Sequence, residues 1–317
     1  MADQIGHRTP APRARVAAEK PVHYGPLPLG LRILNLVLIL APLCAFVWAV
    51  AYAWGAGIGW VELAVGFVFY LATGFGVTIG YHRLLTHKSF RTGRVMTAIL
   101  GILGSMATEG PILNWVAFHR CHHQHSDHEH DPHSPHGHGS GVWGTIKGFW
   151  MAHCGWVLSP RRKDLGRYVV DLEKDPLVRW ISRLFPVWAL LSLALPALAV
   201  GLFTMSWWGA LMGFVWGGLI RVAMVHHITW SVNSICHLWG NRPFESHDES
   251  RNNAIVGVLA LGEGWHNNHH AFPTSARHGL KWWQFDSSWI VIRVLERVGL
   301  VWDVKVPSPE RMRAKAA

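Results

Sequence analysis

The stretch GWVELAVGFVFYLATGFGVTIGYHRLLTH, residues 59 to 87, decides the fold. Residues 59 to 80 carry a single charge, Glu62, and match the roughly 20 apolar residues that a membrane-spanning helix requires. Two histidines, His82 and His87, follow at once. A segment that leaves lipid directly into imidazoles predicts a membrane protein with a polar site just outside the bilayer.

Three further apolar stretches have spanning length, at 31–54, 184–204 and 207–228. Half the residues are apolar and only 15% are charged, values foreign to an ordinary soluble domain. The first stretch follows a basic, Pro-rich head and is too long for the apolar part of a cleaved signal peptide. A fifth run, Val95 to Ala107, is too short to span and reads as an interfacial or buried helix. Nearly all Lys and Arg lie in the head, between spans two and three, or after span four, whereas the loops near 55–58 and 205–206 carry none. The positive-inside rule then predicts cytoplasmic termini and a cytoplasmic middle segment. The net charge of +10 reflects this asymmetry. No basic stripe interleaved with aromatics stands outside the membrane flanks, which argues against a nucleic-acid partner.

Histidine is the anomaly, at 22 of 317 residues. The dense clusters are HRLLTH (His82, His87), HRCHH (His119, His122, His123) and GEGWHNNHH (His266, His269, His270), all on the predicted cytoplasmic side. At about 100° per residue, spacings of three and four put each HxxHH on one helix face. His82 and His87 would stand about 140° apart on a straight helix, so that pair needs a helix end or a neighbouring element to converge. One histidine on an apolar face is usually a hydrogen-bonded core residue. Two HxxHH repeats and an HxxxxH point instead to transition-metal ligands, and eight of them exceed one tetrahedral ion, which implies two metals. The one Glu-x-x-His pair, Glu263 with His266, does not make a carboxylate-rich di-iron site. Glu263 reads as an acceptor that fixes the tautomer of a ligand.

In order and placement these clusters resemble the three histidine boxes of the integral-membrane fatty acid desaturases, of the stearoyl-CoA desaturase-like Δ9 class. TWSVNSICH (229–237), SDHEHDPHS (126–134), FWMAHCGW (149–156) and SARHGLKWW (275–283) look like further segments of that family, so the likeness covers about residues 60 to 305. The last of them looks closest to the bacterial and cyanobacterial acyl-lipid type. The resemblance implies a ninth ligand, His237, and an asparagine, Asn233, that reaches a metal through water. It also implies two Fe²⁺ ions, with zinc a substitute in overexpressed protein, and O₂ as co-substrate. The reaction expected from it is removal of two hydrogens from adjacent methylenes of an acyl chain to leave a cis double bond. Trp115, Thr229 and Trp230 match positions that line the acyl channel in relatives. Ala117 and Phe118 stand where acyl-CoA enzymes carry an Arg-Asp pair, which leaves acyl-lipid and acyl-CoA both open. Arg161, Arg162 and Lys163 form a basic run suited to a phosphorylated headgroup or CoA.

The expected fold is all-α: four transmembrane helices with a cytosolic helical cap that holds a di-metal site. Residues 1–30 are a basic head, 31–305 one membrane domain whose cap comprises 81–183 and 229–305, and 306–317 a tail. His125, His128, His130, His136 and His138 lie in a Gly- and Pro-broken tract and read as a solvated loop without catalytic role. His226 and His227 read equally as supports of the site or as packing, and Arg221 as snorkelling or facing the bundle interior. Cys44, Cys121, Cys154 and Cys236 form no CxxC. With no HPGG haem segment and no ferredoxin cysteine set, electrons are expected from a separate donor of ferredoxin, cytochrome b5 or reductase type. The location expected is a bacterial inner membrane. An acyl hydroxylase on the same scaffold is the alternative enzyme. A His-rich metal transporter is a remote one, because the spans lack ligands at mid-depth.

Overall fold

Four segments too apolar to fold in water alone form the four long helices of the computed structural model, which describes residues 24–56, 59–159, 161–163 and 165–317. α1 (Leu29–Ala56) is followed by α2 (Trp60–Phe75), which runs without a break into a π-helical segment, Gly76–Thr86. α3 (Arg94–Ser105), α4 (Ile112–His125), α5 (Gly141–His153), α6 (Val170–Glu173) and α7 (Pro176–Arg183) lie between the second and third spans. α8 (Phe185–Thr204) is the third span, and α9 (Trp207–Met212) continues through a second π-helical segment, Gly213–Ile220, into α10 (Arg221–Leu238). α11 (Ala254–Leu259), α12 (His266–Ala271), α13 (Ser287–Arg297) and α14 (Pro309–Ala314) complete the cap. Strand content is confined to two short antiparallel pairs among the described residues, Tyr24–Pro26 with Arg161–Lys163 and Arg91–Thr92 with Val301–Trp302.

The spans divide into two outer and two inner helices. Only 12% of the first span and 17% of the third are buried, against 39% of the second and 56% of the fourth. The inner pair is also longer than hydropathy indicates: the second reaches Thr86 rather than residue 80, and the fourth Leu238 rather than 228. Hydropathy falls where side chains become polar, whereas helical bonding does not stop there. A helix of 32 residues is about 48 Å long, well beyond the roughly 30 Å hydrocarbon core. Both inner helices therefore carry their last turns, and the histidines on them, out of the apolar layer.

The run at 95–107 forms α3, packed against the π-helical end of the second span. Its close approach depends on missing side chains. A Cβ on Gly76 would lie 2.1 Å from the Gly104 nitrogen, and one on Gly80 would lie 2.8 Å from the Leu100 carbonyl oxygen. Small residues at a crossing let helix backbones come this near. Arg221 does not snorkel. It is buried in the bundle, donating to the carbonyls of Gly217 (3.0 Å), Met106 (3.2 Å) and Ser192 (2.9 Å) and to the Ser192 hydroxyl. These bonds tie α10 to α3 and α8 and satisfy a cation that lipid would not tolerate.

Candidate metal centre

The π-helical segment resolves the geometry of the first pair. In i→i+5 bonding the His87 N–H reaches the His82 carbonyl (3.1 Å), so the two residues stack on one face, with ring centroids 4.8 Å apart. α4 presents His119, His122 and His123 to the same point, the end of α10 brings His237, and the six-residue α12 brings His266, His269 and His270. Among the described residues these nine side chains form two adjoining groups. One holds His82, His87, His119, His123 and His269, the other His122, His237, His266 and His270. The groups touch, for His123 and His270 stack with centroids 4.4 Å apart.

The donor set fits two transition-metal ions. His82 Nδ1 lies 2.7 Å from Glu263, His237 Nδ1 2.7 Å from Asp127, His122 Nδ1 3.0 Å from both oxygens of Asp131, and His270 Nδ1 against Asp248. A carboxylate on Nδ1 draws the proton there and leaves Nε2 as a bare lone pair facing the cluster. His122 Nε2 and His270 Nε2 are buried with no hydrogen-bond partner. Elsewhere Nε2 atoms face one another at 2.8 to 3.1 Å, as in His82 with His269 and His123 with His269. Lone pairs that close repel unless a cation lies between them. At the roughly 2.1 Å that a first-row ion keeps from imidazole nitrogen, ligands at right angles sit about 3.0 Å apart.

Electrostatics favour the ligating form for several of the imidazoles but not for His122, where burial lowers the pKa and the Asp131 carboxylate overrides it and raises it above the ordinary histidine value. Burial, reinforced by neighbouring imidazoles, holds His119, His123 and His269 well below the ordinary histidine pKa, so they are neutral. The carboxyls behave oppositely. Burial alone would raise Asp127, Asp131 and Asp248, but His237, His122 and His270 respectively override it and hold them well below the usual carboxylate range.

An apolar cavity opens on this centre. Its wall includes Tyr70, Val77, Val225 and Leu261 together with His82, His119, His266, Asn233, Trp115 and Thr229. The Trp115 ring lies nearly flat on that of His119, with centroids 5.1 Å apart and an interplanar angle of 20°. Trp230, expected on the same wall, is not part of it and packs on His153, His226 and His227. Along α10 the cavity is lined by Val225, Ile228, Thr229, Val232 and Asn233, and at about 100° per residue Trp230 falls outside that arc. His226 bonds Thr108 and the Ala107 carbonyl, and His227 bonds His153, so both act in packing. Arg161, Arg162 and Lys163 lie on the strand paired with Tyr24–Pro26, and their side chains lie outside the described part of the structure.

The His-rich tract needs correcting. It is not simply solvated: Asp127 and Asp131 from it hold two ligand histidines, and His136 Nε2 sits 3.1 Å from the His237 carbonyl. Gly and Pro mark a loop but do not say that it folds back over the site. Glu263 meets the Nδ1 of His82, not His266 nearby in sequence. It also meets His278 Nδ1 at 3.1 Å and Arg83 at 3.2 Å, and Arg83 pairs with Asp286. His278 and the three aspartates escaped the sequence reading. The signal of Asp127, Asp131 and His278 was present in SDHEHDPHS and SARHGLKWW, segments noted for likeness rather than for their titratable groups, whereas Asp248 lies outside both. Glu109 escaped it as well. It accepts from Trp115 Nε1 (2.9 Å) and from the Thr229 hydroxyl, and its Oε1 is buried without a partner.

Known proteins share this chain's pattern over most of its length. The family model for fatty acid desaturases matches residues 58–304. The chain is 40% identical over 276 residues to a hex-5-enoyl-[acyl-carrier protein] acetylenase of Moorena producens, covering 86% of each protein. It is 38% identical over 250 residues to an sn-1 stearoyl-lipid 9-desaturase of Anabaena variabilis, covering 78% of this chain and 85% of that one. An acyl-CoA C20 Delta5-desaturase of Anemone leveillei is 40% identical over 254 residues, covering 78% of this chain and 75% of the relative. A helical scaffold with four spans of membrane length, two histidine groups fit for metal and matches of this extent lead to one conclusion: the chain belongs to the fatty acid desaturase family and is an oxidoreductase acting on fatty acids.

Proposed function

We propose that this protein introduces a cis double bond, at the Δ9 position, into a saturated fatty acyl chain carried on lipid or CoA. The observation that carries the reading is the apolar cavity whose wall is completed by His82, His119 and His266. A methylene offers no acidic proton and no leaving group, so acid–base or nucleophilic side chains cannot remove its hydrogens. Two bound irons with O₂ supply the oxidising power that such a C–H bond requires. His82, His87, His119, His123 and His269 would hold one, and His122, His237, His266 and His270 the other, with Asn233 contributing through a water. The balance is one acyl chain, O₂, two electrons and two protons in, and one unsaturated chain and two waters out.

The rest of the work falls to the chain's own residues. Tyr70, Val77, Val225 and Leu261 exclude water around the acyl chain, while Trp115 and Thr229 set which carbons face the histidines. The electrons come from a separate donor of ferredoxin, cytochrome b5 or reductase type. Both termini and the cap lie on the cytoplasmic side, in a bacterial inner membrane.

Expression in a host without its own desaturase, followed by mass spectrometry of fatty acids from the lipid and CoA fractions, tests the reading. A new monounsaturated acid with its double bond at carbon 9 is expected. A hydroxy acid instead would assign the protein as a hydroxylase, and an unchanged profile with iron and donor supplied would overturn the reading.

A further inference from the structure

The two histidine groups are unequally supported. In the four-histidine group three of the four Nδ1 atoms rest on carboxylates: His122 on Asp131, His237 on Asp127 and His270 on Asp248. In the five-histidine group only His82 has one, Glu263, and that carboxylate also pairs with Arg83. Among the described residues, no Lys or Arg pairs with the carboxylates of Asp127, Asp131 or Asp248, although Arg242 donates to the Asp248 backbone carbonyl. Their other partners are neutral: backbone N–H groups of Asp127, His133, Glu249 and Ser250, and the hydroxyls of Ser134, Ser246 and Ser250. Asp127 also has His136, and Asp131 has His133, each at 3.8 Å.

An imidazole that binds a metal does so as an uncharged ligand, so the carboxylates behind it carry the negative charge that opposes a dication. Three formal charges stand behind one group. Behind the other stands one, shared with a cation. Ligand number works the other way, five imidazoles against four. An open position on a metal is filled by water, however, whereas a missing charge is not replaced, and each carboxylate on Nδ1 also makes its imidazole a stronger donor.

We propose that the two metal positions differ in retention: the four-histidine position keeps its ion, and the five-histidine position is the exchangeable one. This rests on the two-metal reading above. Asp127, Asp131 and Asp248 are then positioning residues that act on the metal through His237, His122 and His270.

The test follows iron rather than turnover. Full-length protein loaded with ferrous iron in detergent is challenged with excess chelator, and release is followed by absorbance and by elemental analysis of the protein fraction. Two phases of about one iron each are expected, differing at least 10-fold in rate, since supports of this kind each shift metal affinity by about 10- to 100-fold. His87→Ala should retain about one iron that leaves slowly, and His270→Ala about one that leaves fast. Asp127→Asn and, separately, Asp131→Asn should accelerate the slow phase and spare the fast one. Equal release of both irons from the unaltered protein would overturn the proposal while leaving the two-metal reading intact. So would fast loss of the iron that His87→Ala retains. Failure of the unaltered protein to hold two irons after loading would overturn both.

Discussion

Glu109 is an acid held in a buried setting beside the apolar cavity, against Trp115 and Thr229 of its wall. Burial pushes its carboxyl up to about 7, against weaker opposing bonds from Thr229 and Trp115. The neutral acid is therefore the form below that pH, and a negative charge enters beside the acyl cavity as pH rises through it. Glu109→Gln keeps an acceptor for Trp115 and removes the charge. Turnover of the unaltered protein should fall as pH rises through about 7, while the glutamine variant should be flatter over the same range, as a pH profile of product formation would show. Asn233 and His237 make a second contrast, one turn apart on α10. Asn233→Ala should keep its metal and lose about 10- to 100-fold in activity, whereas His237→Ala should lose iron as well, which parallel iron and product assays would separate. The histidines were legible from sequence because HxxHH spacing is meaningful on any helix. The aspartates were not, because an acid in an irregular segment, the Gly- and Pro-broken tract for Asp127 and Asp131 and the loop after α10 for Asp248, has no periodicity to say which way it faces. Trp230 was placed beside the cavity by likeness alone, and it lies outside the arc of α10 that lines the cavity.

The π-helical end of the second span is the element on which the first histidine pair depends. Hydropathy located the span, since long apolar runs are read by length alone. It could not show the change of bonding, because i→i+5 and i→i+4 turns bury much the same residues. The one sign was that His82 and His87 fit no straight helix. This segment is seated by α3 through the Gly76–Gly104 approach. Gly76→Leu has no room there and should cost about 1–3 kcal/mol or more in overpacking. The expected outcome is protein that still inserts in the membrane but retains less iron, measured by elemental analysis after extraction. Normal iron content in that variant would show that α3 does not hold the segment in place.

At the scale of the molecule, the four spans and cap follow from composition, but the closure of the cap does not. The tail that reads as an appendage packs on it: Lys315 Nζ donates to the Ala271 carbonyl (2.8 Å) at the end of α12, and the Glu245 N–H donates to the Lys315 carbonyl (2.8 Å). No sequence period links residues so far apart. Deleting 309–317 should lower the thermal midpoint in detergent, with a loss on the order of 1 kcal/mol for the charged hydrogen bond to Ala271. Added iron should restore part of it, because binding to the folded form stabilises that form. α12 itself serves both histidine groups, His269 in one and His266 and His270 in the other. Neither group is complete until this late helix has been made. During synthesis the first four-fifths of the chain precedes α12, so on the two-metal reading loading with metal would be the closing act of biogenesis, and a chain that stops short of α12 would hold neither group whole.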